Sequence, residues 1–277
     1  MDALNSAATL LAGLLAIAIP AALVYLYGKK RKLPLKIAAL GAVFFIAVQV
    51  LHAPLVIFTQ NPIYSLVVGS LGQMGAGLVL AVYLGAMAAL FEELARYLIF
   101  KYIMKERSLE AGKLFGLGWG GIESIIILGI LGTITVFAMD QFFLNTDLST
   151  YNQTLIQQGL NATAANQYVE ILQTQKADFQ NRDPLLPFVG LYERIITMIF
   201  HVCASILVMQ SILDGKKKGL LLALGAHFVL DFGAVAMTLL TPNVFLIEGA
   251  VTVMVAATVL VTAKTVGEKP AELLSPK

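Results

Sequence analysis

Residues Leu71 to Phe100 read LGQMGAGLVLAVYLGAMAALFEELARYLIF. This stretch is long enough to cross a bilayer, because about 20 helical residues span a hydrocarbon core about 30 Å thick. Its apolar run ends with three charged residues, Glu92, Glu93 and Arg96. A charge near the membrane centre costs at least about 2.5–3.5 kcal/mol on insertion scales, so such residues usually face the bundle interior and carry function. The stretch therefore predicts a membrane helix that carries part of a site.

The composition of the whole sequence agrees with a membrane protein. Of the 277 residues, 58% are hydrophobic and only 13% are charged, and the mean hydropathy is +0.81. A soluble domain needs roughly 25% charged residues to cover its surface. The net charge of +2 does not indicate a nucleic-acid partner. A single cysteine, Cys203, leaves no intramolecular disulfide and no cysteine cluster for zinc.

Seven segments of the sequence are apolar and long enough to cross the membrane as helices. They are residues 5–27, 36–58, 71–100, 113–140, 188–213, 219–241 and 243–264. The basic cluster Lys29–Lys32 follows the first of them, whereas in a signal peptide it would precede the apolar run. We therefore predict an all-α, polytopic transmembrane helical bundle of about seven membrane helices.

The basic residues predict how these helices are oriented. If odd-numbered helices run inward, all but four of the 19 lysines and arginines lie on the inner side, the last of them Lys277. The exceptions are Lys176 and Arg182 on the outer side, and Arg96 and Arg194 within membrane segments. The positive-inside rule then places the N-terminus outside and the C-terminus inside. We expect a single integral membrane domain, 1–277, with an extracytoplasmic polar insertion at about 141–187.

Ionisable residues recur at one depth on four of the predicted helices. At 1.5 Å per helical residue, the cytoplasmic half of the bundle holds Glu92, Glu93, Arg96, Glu123, His201, His227 and Asp231. Each alone has a structural interpretation, such as a buried ion pair or a histidine that hydrogen-bonds between helices. Together, on four helices at one depth, they indicate a site inside the bundle.

The remaining polar and aromatic residues of the membrane segments have a structural interpretation. Glu193 and Arg194 lie near the predicted outer surface, and Glu248 and His52 have no partner in the pattern. Trp119 lies on a glycine-rich helix, which favours a packing role.

The residue types at this depth are suited to hydrolysis. A carboxylate beside a histidine can activate water, and a second histidine can donate to an oxyanion. Alternatively, His201, His227 and Glu93 could bind zinc and leave an open position for water. The sequence contains no H-E-x-x-H motif. The spacing alone leaves both mechanisms open.

Five stretches carry a resemblance to a known family. They are Gly41-Ala-Val-Phe-Phe, Phe91-Glu-Glu-Leu-Ala-Arg-Tyr97, Gly118-Trp-Gly-Gly-Ile-Glu-Ser124, Glu193-Arg194 with His201, and His227-Phe-Val-Leu-Asp231. In this order they resemble the YhfC family of bacterial intramembrane metalloproteases. That family is similar to CAAX prenyl endopeptidases, bacteriocin-processing and immunity membrane proteins, and PrsW-type proteases. The resemblance runs from about residue 5 to 262 and skips the outer loop.

The resemblance implies roles for residues of the second, third and fourth stretches. Glu92 or Glu93 would be the base that activates water, with Arg96 fixing the glutamate pair. His201 would assist the base, and Glu123 would line the site. The sequence has one residue fewer between the glutamate pair and the arginine than the CAAX enzymes have. Which glutamate is the base therefore stays open.

The resemblance further implies that His227 and Asp231 hold the oxyanion or the water. The CAAX enzymes commonly carry Asn at the position of Asp231. An ionised aspartate cannot donate a hydrogen bond, so Asp231 is better suited to orienting the histidine or binding a metal. The expected partners are the bilayer of a bacterial plasma membrane, which the chain crosses several times, and a membrane-associated peptide substrate.

The function expected from these residues is hydrolysis of peptide bonds within the membrane. The alternative is a non-catalytic membrane scaffold or immunity protein whose polar core binds a partner. A carrier of ions or small solutes is a third possibility, but the sequence has no inverted repeat and no helix broken near its middle by proline.

Overall fold

The computed structural model describes residues 3–274, and all the regular structure in that range is helical. The α-helices are α1 Ala3–Arg31, α2 Lys36–Leu98, α3 Leu109–Ser124, α4 Thr133–Asn145, α5 Leu148–Gln157, α6 Ala162–Gln180, α7 Leu186–Leu213, α8 Lys218–Leu240, α9 Val244–Val266 and α10 Pro270–Leu274. Two π-helical segments, Ile99–Ile103 and Ile125–Gly132, follow α2 and α3. Lys277, one of the basic residues counted on the inner side, lies outside the described residues.

Six helical stretches of the described chain are long and apolar enough to cross a membrane. They are Ala3–Arg31, Lys36–Ile103, Leu109–Asn145, Leu186–Leu213, Lys218–Leu240 and Val244–Val266. These stretches confirm the prediction of an all-α, polytopic membrane protein. The number differs from the predicted seven because the predicted segments 36–58 and 71–100 are both contained in Lys36–Ile103.

Helix α2 folds back on itself at Gly72. The backbone of Gly72 has φ +67° and ψ 178°, a conformation that glycine adopts readily and other residues rarely do. Across this turn, Gln49 Nε2 donates to Glu92 Oε1 at 2.9 Å, and the rings of His52 and Phe91 stack at 5.3 Å. The two limbs of α2, before and after Gly72, are therefore antiparallel.

The first limb is longer than predicted. The predicted segment ends at residue 58, yet the helix continues past Pro62 to the turn at Gly72. A proline removes only one backbone donor, and the helix here tolerates that loss. A total of seven membrane helices, with the N-terminus outside, stays a prediction.

Glycines bring α3 close to its neighbours. A Cβ added to Gly116 would lie 2.7 Å from the His201 carbonyl oxygen on α7, and one added to Gly112 would lie 3.1 Å from Met209 Cβ. On the other side of α3, a Cβ at Gly118 would lie 2.0 Å from the Ala38 carbonyl oxygen on α2. Small residues allow backbones to approach in this way within membranes. Helix α3 is therefore held closely between α7 and the first limb of α2.

Replacing Gly118 with alanine is expected to destabilise the protein by about 1–3 kcal/mol, the usual range for overpacking. The added methyl group would collide with the backbone of Ala38, which cannot rotate away. Gly225→Ala is the matched control, because an added Cβ there meets nothing within 4 Å. Thermal unfolding in detergent, followed by circular dichroism, should give a lower Tm for Gly118→Ala alone. Equal Tm values for the two variants would contradict this packing.

The described residues group into two compact units. One comprises the residues up to Ala16 together with Ile126–Leu191, and the other comprises Ile17–Ile125 together with the residues from Tyr192 onward. The candidate site lies entirely in the second unit. The expectation of a single domain stays a prediction.

The first unit contains the polar insertion, which is helical. Its helices α5 and α6 pack through a small apolar cluster, comprising Leu148, Leu155, Ala165, Val169 and Leu172. Asn161 caps α6 by accepting from the Ala164 backbone N–H at 2.8 Å. The spacing of Tyr168, Ile171, Leu172 and Phe179 predicts an amphipathic helix over 163–180. The structure has this helix, with Leu172 and Phe179 buried but Tyr168 and Ile171 exposed. The extracytoplasmic position of the insertion stays a prediction.

Candidate active site

The second limb of α2, together with α3, α7 and α8, brings all seven predicted site residues together. A cavity of about 120 Å³ lies among them, with a polar lining of Glu92, Glu123, Glu193, Arg194, Thr197, His201, His227 and Asp231. Glu93 and Arg96 lie behind this lining and are fully buried.

Glu92 is held by two neutral donors. Trp119 Nε1 donates to Glu92 Oε2 at 2.9 Å, and Gln49 Nε2 donates to Glu92 Oε1 at 2.9 Å. An indole N–H can only donate, so Glu92 accepts on both oxygens while its carboxylate lines the cavity. Trp119 therefore contacts a site carboxylate, in addition to the packing role that the sequence indicated.

Gln49 was not identified from the sequence. Its side-chain oxygen lies 3.1 Å from His52 Nδ1, which directs its amide nitrogen toward Glu92. His52 thus has a partner after all, and it supports the site through Gln49. The available signal was a polar residue in the apolar first limb of α2. Only the turn at Gly72 brings this residue opposite Glu92.

Glu93 is bound differently from Glu92. It forms an ion pair with Arg96, and neither side chain is exposed. The same oxygen, Oε1, lies 2.8 Å from His227 Nδ1. Both contacts are made by Oε1, whereas the buried Oε2 has no hydrogen-bond partner among the described residues. Glu93 does not line the cavity, so its contacts with Arg96 and His227 fix other residues of the site.

Arg96 connects three helices of the site. Besides Glu93, its guanidinium lies 4.0 Å from Glu92 Oε2, 3.3 Å from His201 Nδ1, and 4.6 Å from the centroid of the Trp119 ring. The predicted role of Arg96 in fixing the glutamate pair is consistent with these distances. Its contact with His201 extends that role to the histidine.

The two ring nitrogens of His201 have different partners. Because Arg96 can only donate, His201 Nδ1 must accept from it, and the ring proton is on Nε2. His201 Nε2 lies 2.5 Å from Glu123 Oε2. The neutral tautomer of His201 is therefore set by Arg96 on one side and Glu123 on the other.

Glu123 also contacts a second arginine. Arg194 Nη1 donates to Glu123 Oε1 at 2.9 Å, and Arg194 forms an ion pair with Glu193. The sequence indicated that Glu193 and Arg194 lie near the outer surface, in a structural role. The structure instead places both in the cavity lining. Tertiary contact with Glu123 on α3, which no spacing within α7 reveals, brings them there.

His227 presents one nitrogen to the cavity. Its Nδ1 is engaged by Glu93, while its Nε2 lies 3.6 Å from Asp231 Oδ2, one turn along α8. Phe200 packs edge-on against His201 and His227, with ring centroids 5.4 and 5.0 Å away. His227 Nε2 is thus the imidazole nitrogen left available for chemistry. Glu248, on α9, is buried but does not line this cavity.

The predicted zinc ligands are His201, His227 and Glu93. In residues 3–274, no three His, Cys, Asp or Glu side chains are placed to hold a metal ion together. Both nitrogens of His201 have partners, and Glu93 is bound by Arg96 and His227. Of the predicted set, His227 keeps Nε2, and Glu93 Oε2 has no hydrogen-bond partner among the described residues, but the three side chains are not placed to hold one ion together. The residues in this arrangement therefore do not fit a three-ligand metal site.

Comparisons with known proteins agree with the resemblance found in the motifs. A sequence profile of the YhfC intramembrane metalloprotease family matches residues 15–255. The chain is also 27% identical to the uncharacterized membrane protein YhfC of Bacillus subtilis (strain 168) over 230 residues, which cover 81% of this chain and 82% of that protein. No solved structure matches the chain. Because the profile covers most of the sequence and the apolar helices agree with it, the protein is a multi-pass integral membrane protein that belongs to the YhfC intramembrane metalloprotease family.

Proposed function

We propose that the protein is a peptidase that hydrolyses peptide bonds of membrane-associated substrates in the bacterial plasma membrane, with Glu92 as the base that activates water. One observation carries this proposal. Glu92 is the member of the glutamate pair whose carboxylate lines the polar cavity, whereas Glu93 is held between Arg96 and His227. The family name supports the reaction class.

The reaction begins with a water molecule in the cavity beside Glu92. The carboxylate takes a proton from the water, and the resulting hydroxide attacks the carbonyl carbon of the peptide bond. Glu92 later gives that proton to the leaving amine as the C–N bond breaks. The two N–H donors that hold Glu92, from Gln49 and Trp119, keep its carboxylate directed toward the water.

Negative charge develops on the carbonyl oxygen during the attack and needs a donor. His227 Nε2 serves this role in the imidazolium form, in which Nδ1 donates to the Glu93 carboxylate and the Nε2 proton faces the cavity. Asp231, 3.6 Å from that nitrogen, helps to orient the ring. An ionised Asp231 is an acceptor only, so it acts through His227.

His201 and Glu123 line the same cavity as the His227–Asp231 pair, and the rings of His201 and His227 have centroids 5.8 Å apart. His201 Nδ1 lies 3.9 Å from Glu92 Oε2, so the ring assists the base through its position between Arg96 and Glu123. The family name implies a metal, but the described residues do not fit a three-ligand metal site.

The test is cleavage of a mixed peptide library, including prenylated and transmembrane peptides, by the purified protein in lipid nanodiscs. Mass spectrometry would identify the products, with a chelator in one arm and added zinc in another. Wild type is expected to cleave, and the double variant Glu92→Gln, Glu93→Gln is expected not to cleave. Glu106→Gln, at an exposed carboxylate, is the matched control. No cleavage by a folded preparation, with or without zinc, would favour the scaffold or immunity alternative.

A further inference from the structure

A second cavity, of about 300 Å³, lies between α1, α3, α7 and α10. Most of its walls are apolar, with Leu117 from α3, and Met198 and Val202 from α7. It shares no lining residue with the glutamate–histidine cavity. Its function is therefore separate from the proposed reaction.

One part of this cavity is polar and basic. The side chain of Lys113 lines it at 2% exposure, and its Nζ lies 3.2 Å from Glu268 Oε2. Tyr27 also lines it, and its buried hydroxyl has no hydrogen bond within the usual distance and angle limits to any described residue. The Arg31 guanidinium is close enough to Tyr27 to interact electrostatically, with Cζ 5.9 Å from the ring centroid.

More basic residues follow at the same end of α1. Lys29, Lys30 and Lys32 flank Arg31 in sequence. A basic cluster at the end of a membrane helix attracts anionic lipid headgroups. Charge complementarity thus indicates an anion beside the polar end of the cavity.

The α1 residues that line the cavity are also exposed on the surface of the protein. Leu23 and Leu26, which line the cavity, are 39% and 59% exposed on a helix that is apolar enough to span the membrane. Leu273 of α10 closes another side and is 2% exposed. An apolar cavity of this kind does not hold ordered water, which needs several polar partners. An apolar chain entering from the bilayer suits it better.

We propose that this cavity binds one acyl chain of an anionic phospholipid, whose phosphate lies near Tyr27, Arg31 and Lys113. Its volume of about 300 Å³ is large enough for part of one acyl chain. The Tyr27 hydroxyl would donate its proton to the phosphate, because its neighbour Arg31 can only donate. Lys113 would share its charge between Glu268 and the lipid.

Native mass spectrometry of the purified protein, released from vesicles with equal phosphatidylglycerol and phosphatidylethanolamine, tests this proposal. Wild type should retain one phosphatidylglycerol. Tyr27→Phe and Lys113→Gln should each lower that preference, Lys113→Gln by about fivefold, the factor for one lysine near an anionic membrane surface. Ile199→Trp, which fills the cavity, should lose the lipid, whereas Leu221→Trp, on an exposed face of α8, should keep it.

A second measurement does not depend on how the variants fold. Vesicles containing a phosphatidylglycerol with a photoreactive acyl chain should crosslink to wild-type peptides that contain Leu117 or Met198. Crosslinks confined to exposed lipid-facing residues would overturn the proposal. Equal lipid retention by wild type and a folded Ile199→Trp variant would do the same. Retention of phosphatidylethanolamine as strong as that of phosphatidylglycerol would overturn the assignment of an anionic headgroup.

Discussion

Replacing Glu92 with glutamine is expected to lower the rate of peptide cleavage by about 10²–10⁴-fold, the usual contribution of a general base. Glutamine has nearly the same shape but cannot take a proton from water. Its amide group would also face the N–H of either Trp119 or Gln49, and the unmatched donor should cost about 1–3 kcal/mol of stability. Single-turnover kinetics, with Tm measured on the same preparation, would separate the two effects.

Glu93→Gln is the variant with which Glu92→Gln should be compared. Glu93 contacts Arg96 and His227 behind the cavity lining, so its replacement should lower Tm more than Glu92→Gln does. Residual cleavage by the folded fraction is expected, at a rate above that of Glu92→Gln. An active Glu92→Gln variant beside an inactive but stable Glu93→Gln variant would reverse the assignment of the base.

Replacing Arg96 with methionine is expected to destabilise the protein by about 3–5 kcal/mol, the cost of leaving one partner of a buried ion pair uncompensated. Arg96 is fully buried and contacts Glu93, His201 and the Trp119 ring. Without it, the Glu93 carboxylate would lose its cation in an environment that excludes water. Unfolding in mixtures of mild detergent and sodium dodecyl sulfate, followed by circular dichroism, would measure the change.

The double variant Glu93→Gln, Arg96→Met completes a thermodynamic cycle. It removes both charges, so it should be more stable than Arg96→Met alone, with a coupling energy within about 0.5–3 kcal/mol, the range for residues in contact. A double variant whose loss equals the sum of the two single losses would show that the pair is not coupled. Lys176→Met, at a polar position of α6, serves as the control for removal of a positive charge.

The seven ionisable residues that the structure brings together could be expected from the sequence to share one depth, whereas their pairing could not be predicted. Charged residues in apolar segments identify a polar core because their insertion is costly, and their depth follows from the rise per residue. Glu92 and Glu93, however, are neighbours about 100° apart around one helix. Which of them lines the cavity depends on where α3 and α8 pack, and that information is not local to the motif.

The contacts of Trp119 and Gln49 with Glu92 could not be predicted for the same reason. Both residues are neutral, so neither stands out in a membrane helix as a charged residue does. Their N–H groups acquire a role only when α3 and the first limb of α2 lie beside Glu92. The first limb extends beyond the predicted segment 36–58 and past Asn61-Pro62, a dipeptide that favours a turn.

The fold-back of α2 at Gly72 has a consequence for how the chain enters the bilayer during synthesis. The second limb carries three charged residues within five positions, which makes it a poor candidate for insertion alone. The first limb precedes it, is predominantly apolar, and brings the amide of Gln49 opposite Glu92. Released into the lipid as a pair, the limbs would shield part of this charge from hydrocarbon before α7 and α8 have been made. The glycine at the turn thus allows the charged residues of the candidate site to enter the membrane together with the first limb that packs against them.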